Sequence, residues 1–406
     1  MIRNSLITFL LLGAILVQAQ SPIADGKEKF LGSVHSSSQI KDFEKYWNQV
    51  TPENAGKWGS VEGTRDSYNW TQLDAAYNFA KDNAYIFRFH VLLWGNQQPT
   101  WIESLSDEEQ LEEIIEWMDA VAERYPDIDY LEVINEPLND PPNGAGNGNY
   151  FKALGGTGTS GFEWILTAYR LANERFPNAK LVINEYNILN NPNRATTYVK
   201  IVNLLKEEEL IDVVGVQGHA FTTTTTNETM EGVLDKLAET ELPIMVTELD
   251  IDGPTDNDQL QDYKRIFPLL WEHPSVIGIT LWGFRPGLWR NPQKAYLIDI
   301  DGSERPALGW LREYVEETDT SPKPLRENLL NELTIYPNPA KGEMNVSFHE
   351  AIRSVKAIDM TGKVAFESFV LSDSKINLPE GMSAGTYIFQ ISTISGNQFT
   401  RRIKVL

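Results

Sequence analysis

The chain has 406 residues, no cysteine, 41% apolar and 23% charged residues, 11 tryptophans and a formal charge of −22. Such acidity repels nucleic-acid phosphates before contact forms. The lack of cysteine excludes disulfides, thiolate nucleophiles, zinc–cysteine sites and iron–sulfur clusters, so burial alone must hold the fold. The length suits one large domain plus a small one, with a neutral substrate well tolerated.

At the N-terminus Arg3, the apolar run Leu6 to Val17 and the small-x-small triplet Val17-Gln18-Ala19 have the layout of a signal peptide, residues 1–19, too short to span a membrane. No later stretch is apolar for long enough to be a span. Short apolar runs then follow in order: "KFLGSVH", "YWNQV", "YIFRFHVLLW", "DYLEVIN", "KLVIN", "IDVVGVQ", "PIMVTE" and "VIGITLW". Helical patterns sit between them at Thr71 to Asn83, Ser106 to Tyr125, Glu163 to Phe176, Arg194 to Glu209, Met230 to Thr240 and Asp258 to His273. Ser106 and Glu109 have capping-box spacing. Eight strands alternating with helices predict a (β/α)8 TIM barrel over 20–317. An open doubly wound sheet is the competing pattern, yet no G-x-G-x-x-G follows the first strand. Residues 318–332, polar and carrying Pro322 and Pro324, read as a linker. In 333–406 the alternating segments "MNVSF", "KVAFESFV" and "GTYIFQIST", parted by Gly and Pro turns, predict a small β-sandwich.

In such a barrel the reacting groups come from the C-terminal strand ends. The second strand runs into Thr51, Glu53, Asn54 and Lys57, and the third ends around His90 and Trp94. The fourth ends in Asn135 and Glu136, and the fifth in Asn184, Glu185, Tyr186 and Asn187. Gln217 and His219 close the sixth, Glu248 and Asp250 the seventh, and Trp282 the eighth. The strand starts show no such series. A glutamate at a strand end is ordinarily a solvated loop residue, but Glu136 and Glu248 share this rim with His90, His219 and several tryptophans. Two carboxyl groups facing each other across a sugar-sized gap suit glycosidic bond cleavage. Trp58, Trp94, Trp282 and Trp289 all fall in rim segments, where an indole face can pack on the C–H face of a sugar ring. His219 is expected within hydrogen-bond reach of Glu248. His35 and His349 have no such company, and His273 reads as a helix-end residue. There is no H-E-x-x-H, and neither a metal nor a cofactor is expected.

The segments "VTPENAGKW", "HVLLWGNQ", "VINEP", "INEYN", "VQGH", "TELDI" and "LWG" followed by "LWR" resemble, in order and spacing, glycoside hydrolase family 10, the (β/α)8 endo-β-1,4-xylanases. The resemblance covers nearly all of residues 25–315. It implies a retaining double displacement with Glu136 as general acid/base and Glu248 as nucleophile. It further implies Asn135 on the sugar 2-hydroxyl, His219 holding Glu248, and Asp250 steadying His219. His90, Gln217 and Trp94 would line the same sugar, Glu53, Asn54, Lys57, Gln97 and Trp282 the next one outward, with Tyr186 also in the substrate-binding set and Trp289 closing over the cleft. For such chemistry the carboxyl groups must stand about 5 to 5.5 Å apart. The chain departs from the family pattern at Gly95 and Asn96, where His and Ser are usual, at Glu185, often Asp, and at Pro137, often Ala. The spacing of Trp282 and Trp289 is also a residue tight. The tail, with "LTIYPNPAKGEMNVSF", "GTYIFQIST" and "RRIKVL", resembles the C-terminal sorting domain of the type IX secretion system. Together these predict a secreted or cell-surface monomer that hydrolyses xylan or xylo-oligosaccharides and meets the secretion machinery through its tail. A β-1,4-glucanase or transglycosylase on the same site, or a non-catalytic glycan-binding protein, is the alternative.

Overall fold

The computed structural model describes residues 21–144, 149–318, 334–347, 352–359, 363–369, 375–379, 381–393 and 398–406. The expected signal peptide, almost all of the expected linker and His349 lie outside them. The chain divides into two compact units, with the boundary between Thr320 and Ser321.

In the first unit the strands are β1 Phe30–His35, β2 Gln49–Pro52, β3 Ile86–Phe89, β4 Leu93–Trp94, β5 Tyr130–Asn135, β6 Lys180–Asn184, β7 Val213–Gly218, β8 Ile244–Leu249 and β9 Val276–Leu281. Each pairs in parallel with its neighbours, and β3 pairs with β5 to close the ring. The expected eight-stranded barrel is what forms, with its third strand in two pieces. "YIFRFHVLLW" does not run straight through, because after Phe89 the chain leaves the sheet. Leu92 N–H bonds to Glu132 O at 3.1 Å before β4 rejoins β5.

The barrel is filled in tiers. Phe30, Val182, Val213 and Met245, with Ile86, Tyr130 and Ile277 against them, form an apolar cluster of their own from residues at or near the strand starts. Gly278 makes room for it, since a Cβ there would stand 2.4 Å from the Phe30 ring. Above this plug the interior turns polar, with Ser33, Gln49, Thr51, Arg88, Glu132, Asn184, Thr247 and Thr280 all fully buried. A buried polar group is tolerated only when bonded. Ser33 Oγ donates to Leu281 O at 3.2 Å, and the others bond to one another. Gln49 Nε2 donates to Thr51 Oγ1 at 2.8 Å and Thr280 Oγ1 to Gln49 Oε1 at 2.7 Å.

The helices are α1 Trp58–Val61, α2 Thr71–Asp82, α3 Asp107–Arg124, α4 Glu163–Arg175, α5 Pro192–Glu207, α6 Ala220–Thr223, α7 Asn227–Ala238, α8 Asp256–Glu272 and α9 Pro306–Glu317. On α3 the positions Ile114, Trp117, Met118 and Val121 recur at helical spacing and are buried, and the Ser106–Glu109 capping box forms as expected. Starts of α5, α7 and α8 fall ahead of the apolar periodicity, because Asn191, Thr226 and Thr255 cap first turns that are themselves polar. The helix α9 has no counterpart in the sequence reading, although Pro306 at its first turn and buried Leu308, Leu311 and Val315 carry the signal.

The second unit holds β10 Thr334–Lys341, β11 Glu343–Ser347, β12 Ile352–Asp359, β13 Val364–Phe369, β14 Lys375–Asn377, β15 Gly385–Thr393 and β16 Gln398–Val405. Its antiparallel ladders form two sheets joined by the parallel pairing of Ala340 with Val405. Met344, Val355, Ala357, Ile376, Phe389, Ile391 and Ile403 make its separate core.

Candidate active site

A cleft of about 510 Å³ opens at the C-terminal ends of the strands. Glu53, Asn54, Lys57, His90, Trp94, Gln97, Asn135, Glu136, Tyr186, Gln217, His219, Glu248, Trp282 and Trp289 all line it. The rim residues drawn from separate strands are thus brought to one place.

The backbone explains how neighbouring residues share the cleft. Successive strand residues ordinarily face opposite sides of a sheet. At the end of β5, Glu136 takes φ 55°, in the left-handed region, which turns its side chain to the same side as Asn135. Its N–H bonds Asn184 O at 2.8 Å, fixing the turn. A register shift between Glu132 and Ile134 in the β5–β6 ladder keeps Glu132 inside the barrel as well. β8 has register shifts of its own around Thr247, in its ladders with β7 and β9. The neighbours Thr247 and Glu248 thus both meet Asn184 inside the barrel, while Asp250, two beyond Glu248, meets the same His219 ring as Glu248 does.

Glu248 is held as an anion. Asn184 Nδ2 donates to its Oε1 at 2.8 Å, and His219 Nε2 lies 3.1 Å from its Oε2. Burial alone would raise its pKa, but the His219 hydrogen bond and the charges of His219, His90 and Arg88 overcome that and hold it at about 2. The same contact works on His219. Burial disfavours the charged ring, yet Asp250 and Glu248 raise its pKa to about 10, with Nδ1 standing 2.6 Å from Asp250 Oδ2. Charged imidazole donates through both nitrogens, so the ring bridges the two carboxylates.

Glu136 is pushed the other way. Its Oε1 accepts from Gln217 Nε2 at 2.8 Å and its Oε2 from Trp94 Nε1 at 2.8 Å. Burial raises its pKa well above the carboxylate range, the Gln217 bond opposes this, and the negative Glu248 and Glu185 add to the rise. A continuous polar chain links the two glutamates. Gln217 Nε2 also reaches Asn135 Oδ1 at 3.3 Å, and Asn184 Nδ2 lies 3.0 Å from that same oxygen.

Beneath them Arg88 and Glu132 form a fully buried pair at 2.5 Å, with Arg88 Nη2 on Thr247 O at 2.8 Å and His90 Nδ1 3.0 Å from Glu132 Oε1. His90, Glu132 and Glu248 could bring three ligand atoms within 4.8 Å of one another. Each already has a protein partner: Arg88 on Glu132, Glu132 on His90, and His219 and Asn184 on Glu248.

The aromatic rim differs from expectation in one member. Trp58 is 2% exposed and stacks on Trp117 at 5.9 Å and 7°, with Nε1 on Glu62 Oε2 at 2.7 Å. It belongs to the core, because Lys57 caps α1 and the helical turn that begins at Trp58 rolls its indole inward while Lys57 stays on the cleft. Trp94, Trp282 and Trp289 do line the cleft, and Trp289 is the most open of them at 52% exposure. Lys57 Nζ bonds Asn54 Oδ1 at 2.8 Å and lies over the Trp94 ring at 5.1 Å. Phe221, which the sequence reading passed over, stacks on His219 at 5.6 Å and meets Trp289 at 6.2 Å. Its signal was an apolar residue two places after a rim histidine. Asp140 also lines the cleft unforeseen. Glu185 does not line it. It is fully buried and accepts from Leu138 N at 2.7 Å, Asn139 Nδ2 at 2.6 Å and Tyr186 N at 2.8 Å, which clamps the turn that follows Glu136.

Residues 23–314 match the model of glycosyl hydrolase family 10, and residues 334–405 that of the secretion system C-terminal sorting domain, which marks the chain as secreted or cell-surface. The chain is 36% identical over 287 residues to endo-1,4-beta-xylanase B of Cellvibrio japonicus, covering 70% of this chain but only 45% of that protein. It is 30% identical over 302 residues to endo-1,4-beta-xylanase B of Thermotoga neapolitana, covering 68% and 85%. Xylanase 10B of Thermotoga maritima superposes with a TM-score of 0.64 at 25% identity, covering 73% of this chain and 97% of that one. A closed parallel barrel, a cleft at its C-terminal rim and a match spanning that whole unit agree, and the chain belongs to glycosyl hydrolase family 10.

Proposed function

We propose that the chain is a secreted endo-β-1,4-xylanase that cleaves internal xylosidic bonds with retention, using Glu248 as nucleophile and Glu136 as general acid/base. The observation that carries this reading is two buried carboxyl groups in one cleft with opposite surroundings. Glu248 stands beside the His219 ring and the Asn184 amide, which favour its anion, and Glu136 has the neutral donors Gln217 and Trp94, where burial favours its proton. Such a split assigns the roles of nucleophile and acid at one pH.

Glu248 attacks the anomeric carbon while Glu136 gives its proton to the departing glycosidic oxygen, leaving a glycosyl ester on Glu248. Esterification removes the negative charge of Glu248, so Glu136 loses one of the influences that raise its pKa. It then draws the proton from water, which attacks the ester and frees the sugar. Asn135, held by Asn184 and Gln217, is set to bond the 2-hydroxyl, where a hydrogen bond tightens in the transition state. His219 and Asp250 keep Glu248 ionised and aimed, and His90, Gln217 and Trp94 surround the reacting sugar. Glu53, Asn54, Lys57, Gln97 and Trp282 hold the next sugar, Tyr186 completes the lining, and Trp289 packs over the chain. The working unit is expected to be a monomer, which light scattering checks directly.

Incubation with arabinoxylan, glucuronoxylan and carboxymethylcellulose, with product sizing and early anomer analysis by NMR, tests the assignment. Xylo-oligosaccharides released first as the β-anomer are expected from the xylans. Faster release from carboxymethylcellulose would move the reading to a β-1,4-glucanase, and no release from any of the three would reduce it to glycan binding. Glu248→Gln should lose nearly all hydrolysis while its folding is kept, and full activity in that variant would reject the assignment.

A further inference from the structure

Asp140 lies four residues beyond Glu136, in a turn where Asn139 N and Asp140 N both bond Glu136 O, at 3.2 and 2.8 Å. That turn is clamped on both sides. Asn139 Nδ2 bonds Glu185 Oε1 at 2.6 Å and Tyr186 O at 3.0 Å, and Arg194 donates to the Asn139 side chain. Opposite, Gly95 N–H bonds Asp140 O at 3.0 Å. A Cβ at Gly95 would stand 2.1 Å from Asp140 O and 2.4 Å from Pro141 C, so only glycine lets the two segments approach this closely. Asp140 thereby lines the same cleft as Glu136, one turn along the chain from it, and is among the groups that raise the Glu136 pKa.

Two carboxyl groups bond each other only when one carries the proton. Trp94 Nε1 and Gln217 Nε2, the neutral partners of Glu136, both donate to it, so neither can receive its proton. Asp140 can. We propose that Asp140 is a positioning residue for Glu136, its carboxylate receiving the hydrogen bond of the protonated Glu136 in the open cleft and yielding that place to the glycosidic oxygen when substrate enters. The proton stays on Glu136 throughout, and only its acceptor changes. The charged and titratable groups around Glu136 are Glu248 from β8, Glu185 and Tyr186 from the end of β6, Lys57 ahead of α1, and Asp140 on its own turn. Asp140 is the one that can be neutralised without touching the nucleophile, the Glu185 clamp or a sugar-binding residue of the proposed set.

This inference rests on the glycosidase reading, and the experiment separates the two. The pH profile of kcat/KM is measured for the unmodified protein and Asp140→Asn on soluble xylan and on an aryl β-xylobioside whose phenol leaves without protonation. With xylan the alkaline limb of Asp140→Asn should move down by about one pH unit, a tenfold loss on that flank, because a like charge that favours protonated Glu136 is gone. The aryl substrate should lose little at any pH. Gly95→Ala keeps every charge but forces the Asp140 turn back, and its alkaline limb should move the same way. An unmoved limb in Asp140→Asn, or an equal loss at every pH on both substrates, overturns the proposal. An unmodified protein that cleaves no β-1,4-glycan overturns instead the reading on which it rests.

Discussion

His219 presents Nε2 to Glu248 Oε2 at 3.1 Å, in a pocket where both side chains are almost wholly buried. An imidazolium this close is what offsets the burial of the carboxylate, and Asp250 on the far nitrogen keeps the ring charged. His219→Ala removes that donor and its charge and leaves burial, the largest influence on Glu248, less opposed. The Glu248 pKa then rises, and the acid limb of the kcat/KM profile should move to higher pH. Loss of one preorganised donor costs about 100-fold in kcat. An acid limb that stays in place would show that His219 does not govern the ionisation of Glu248.

Glu136→Ala separates the two halves of the reaction. With xylan the leaving alkoxide needs a proton, and the loss should be about 10²–10⁴-fold. With an aryl leaving group the first step needs no acid, so the glycosyl ester forms and accumulates, visible as a burst of phenol. Azide, which needs no base, should then release a glycosyl azide of the β-configuration, detectable by NMR. Equal losses on both substrates, with no burst, would take the acid role away from Glu136.

Much of this site is legible in the sequence because barrel chemistry is confined to strand ends, and strand ends are easy to find when apolar runs stop at amides and carboxylates. Glu248 and Asp250 share a side by simple alternation. Asn135 and Glu136 should not, and their common side comes from a left-handed φ that no residue type announces when the residue is glutamate. Trp58 reads as a rim residue from its neighbour Lys57 and is a core residue, since one residue step on a helix turns the side-chain direction by about 100°. Asn184 stands in the rim series without a role. Only the fold brings its amide to Asn135 and Glu248 together. The Asp140 turn is invisible for a related reason, because its place depends on the close approach of Gly95.

Arg88 and Glu132 carry a structural prediction. Both are fully buried, and Arg88 also bonds Thr51 Oγ1 at 3.2 Å and Thr247 O at 2.8 Å. Arg88→Met fills much of the same volume but leaves the Glu132 carboxylate in the barrel without its cation. Breaking a buried pair from one side costs about 3–5 kcal/mol, so chemical unfolding should shift to lower denaturant by a corresponding amount. The double variant Arg88→Met with Glu132→Leu removes the orphaned charge and should recover part of that loss. A single variant as stable as the unmodified chain would mean that the Glu132 charge is compensated elsewhere, with His90 the nearest candidate.

The perturbed groups also set how stability varies with pH. Glu248 at about 2 in the fold, against an ordinary 4.5, contributes stability that is fully present above pH 4.5 and lost as pH falls toward 2. His219 at about 10, against 6.5, contributes stability that is present below pH 6.5 and lost as pH rises through 10. These two are one contact seen from both ends and are not summed. Glu185 acts with the opposite sign to Glu248. Burial raises it to about 7, so the folded chain holds its proton more tightly than the unfolded one, and stability falls as pH rises from 4.5 to 7. The unfolding midpoint is therefore expected to be highest near pH 4.5, to decline toward pH 7 as the Glu185 contribution is lost, and to decline further above about pH 6.5 as that of His219 is lost. Glu185→Gln has no proton to lose. It should be less stable overall, because an amide cannot accept from Leu138 N, Asn139 Nδ2 and Tyr186 N together, but its decline between pH 4.5 and 7 should be shallower by at most about 1.4 kcal/mol per pH unit. Calorimetry across that window on both chains decides it, and parallel curves would mean that Glu185 stays ionised in the fold.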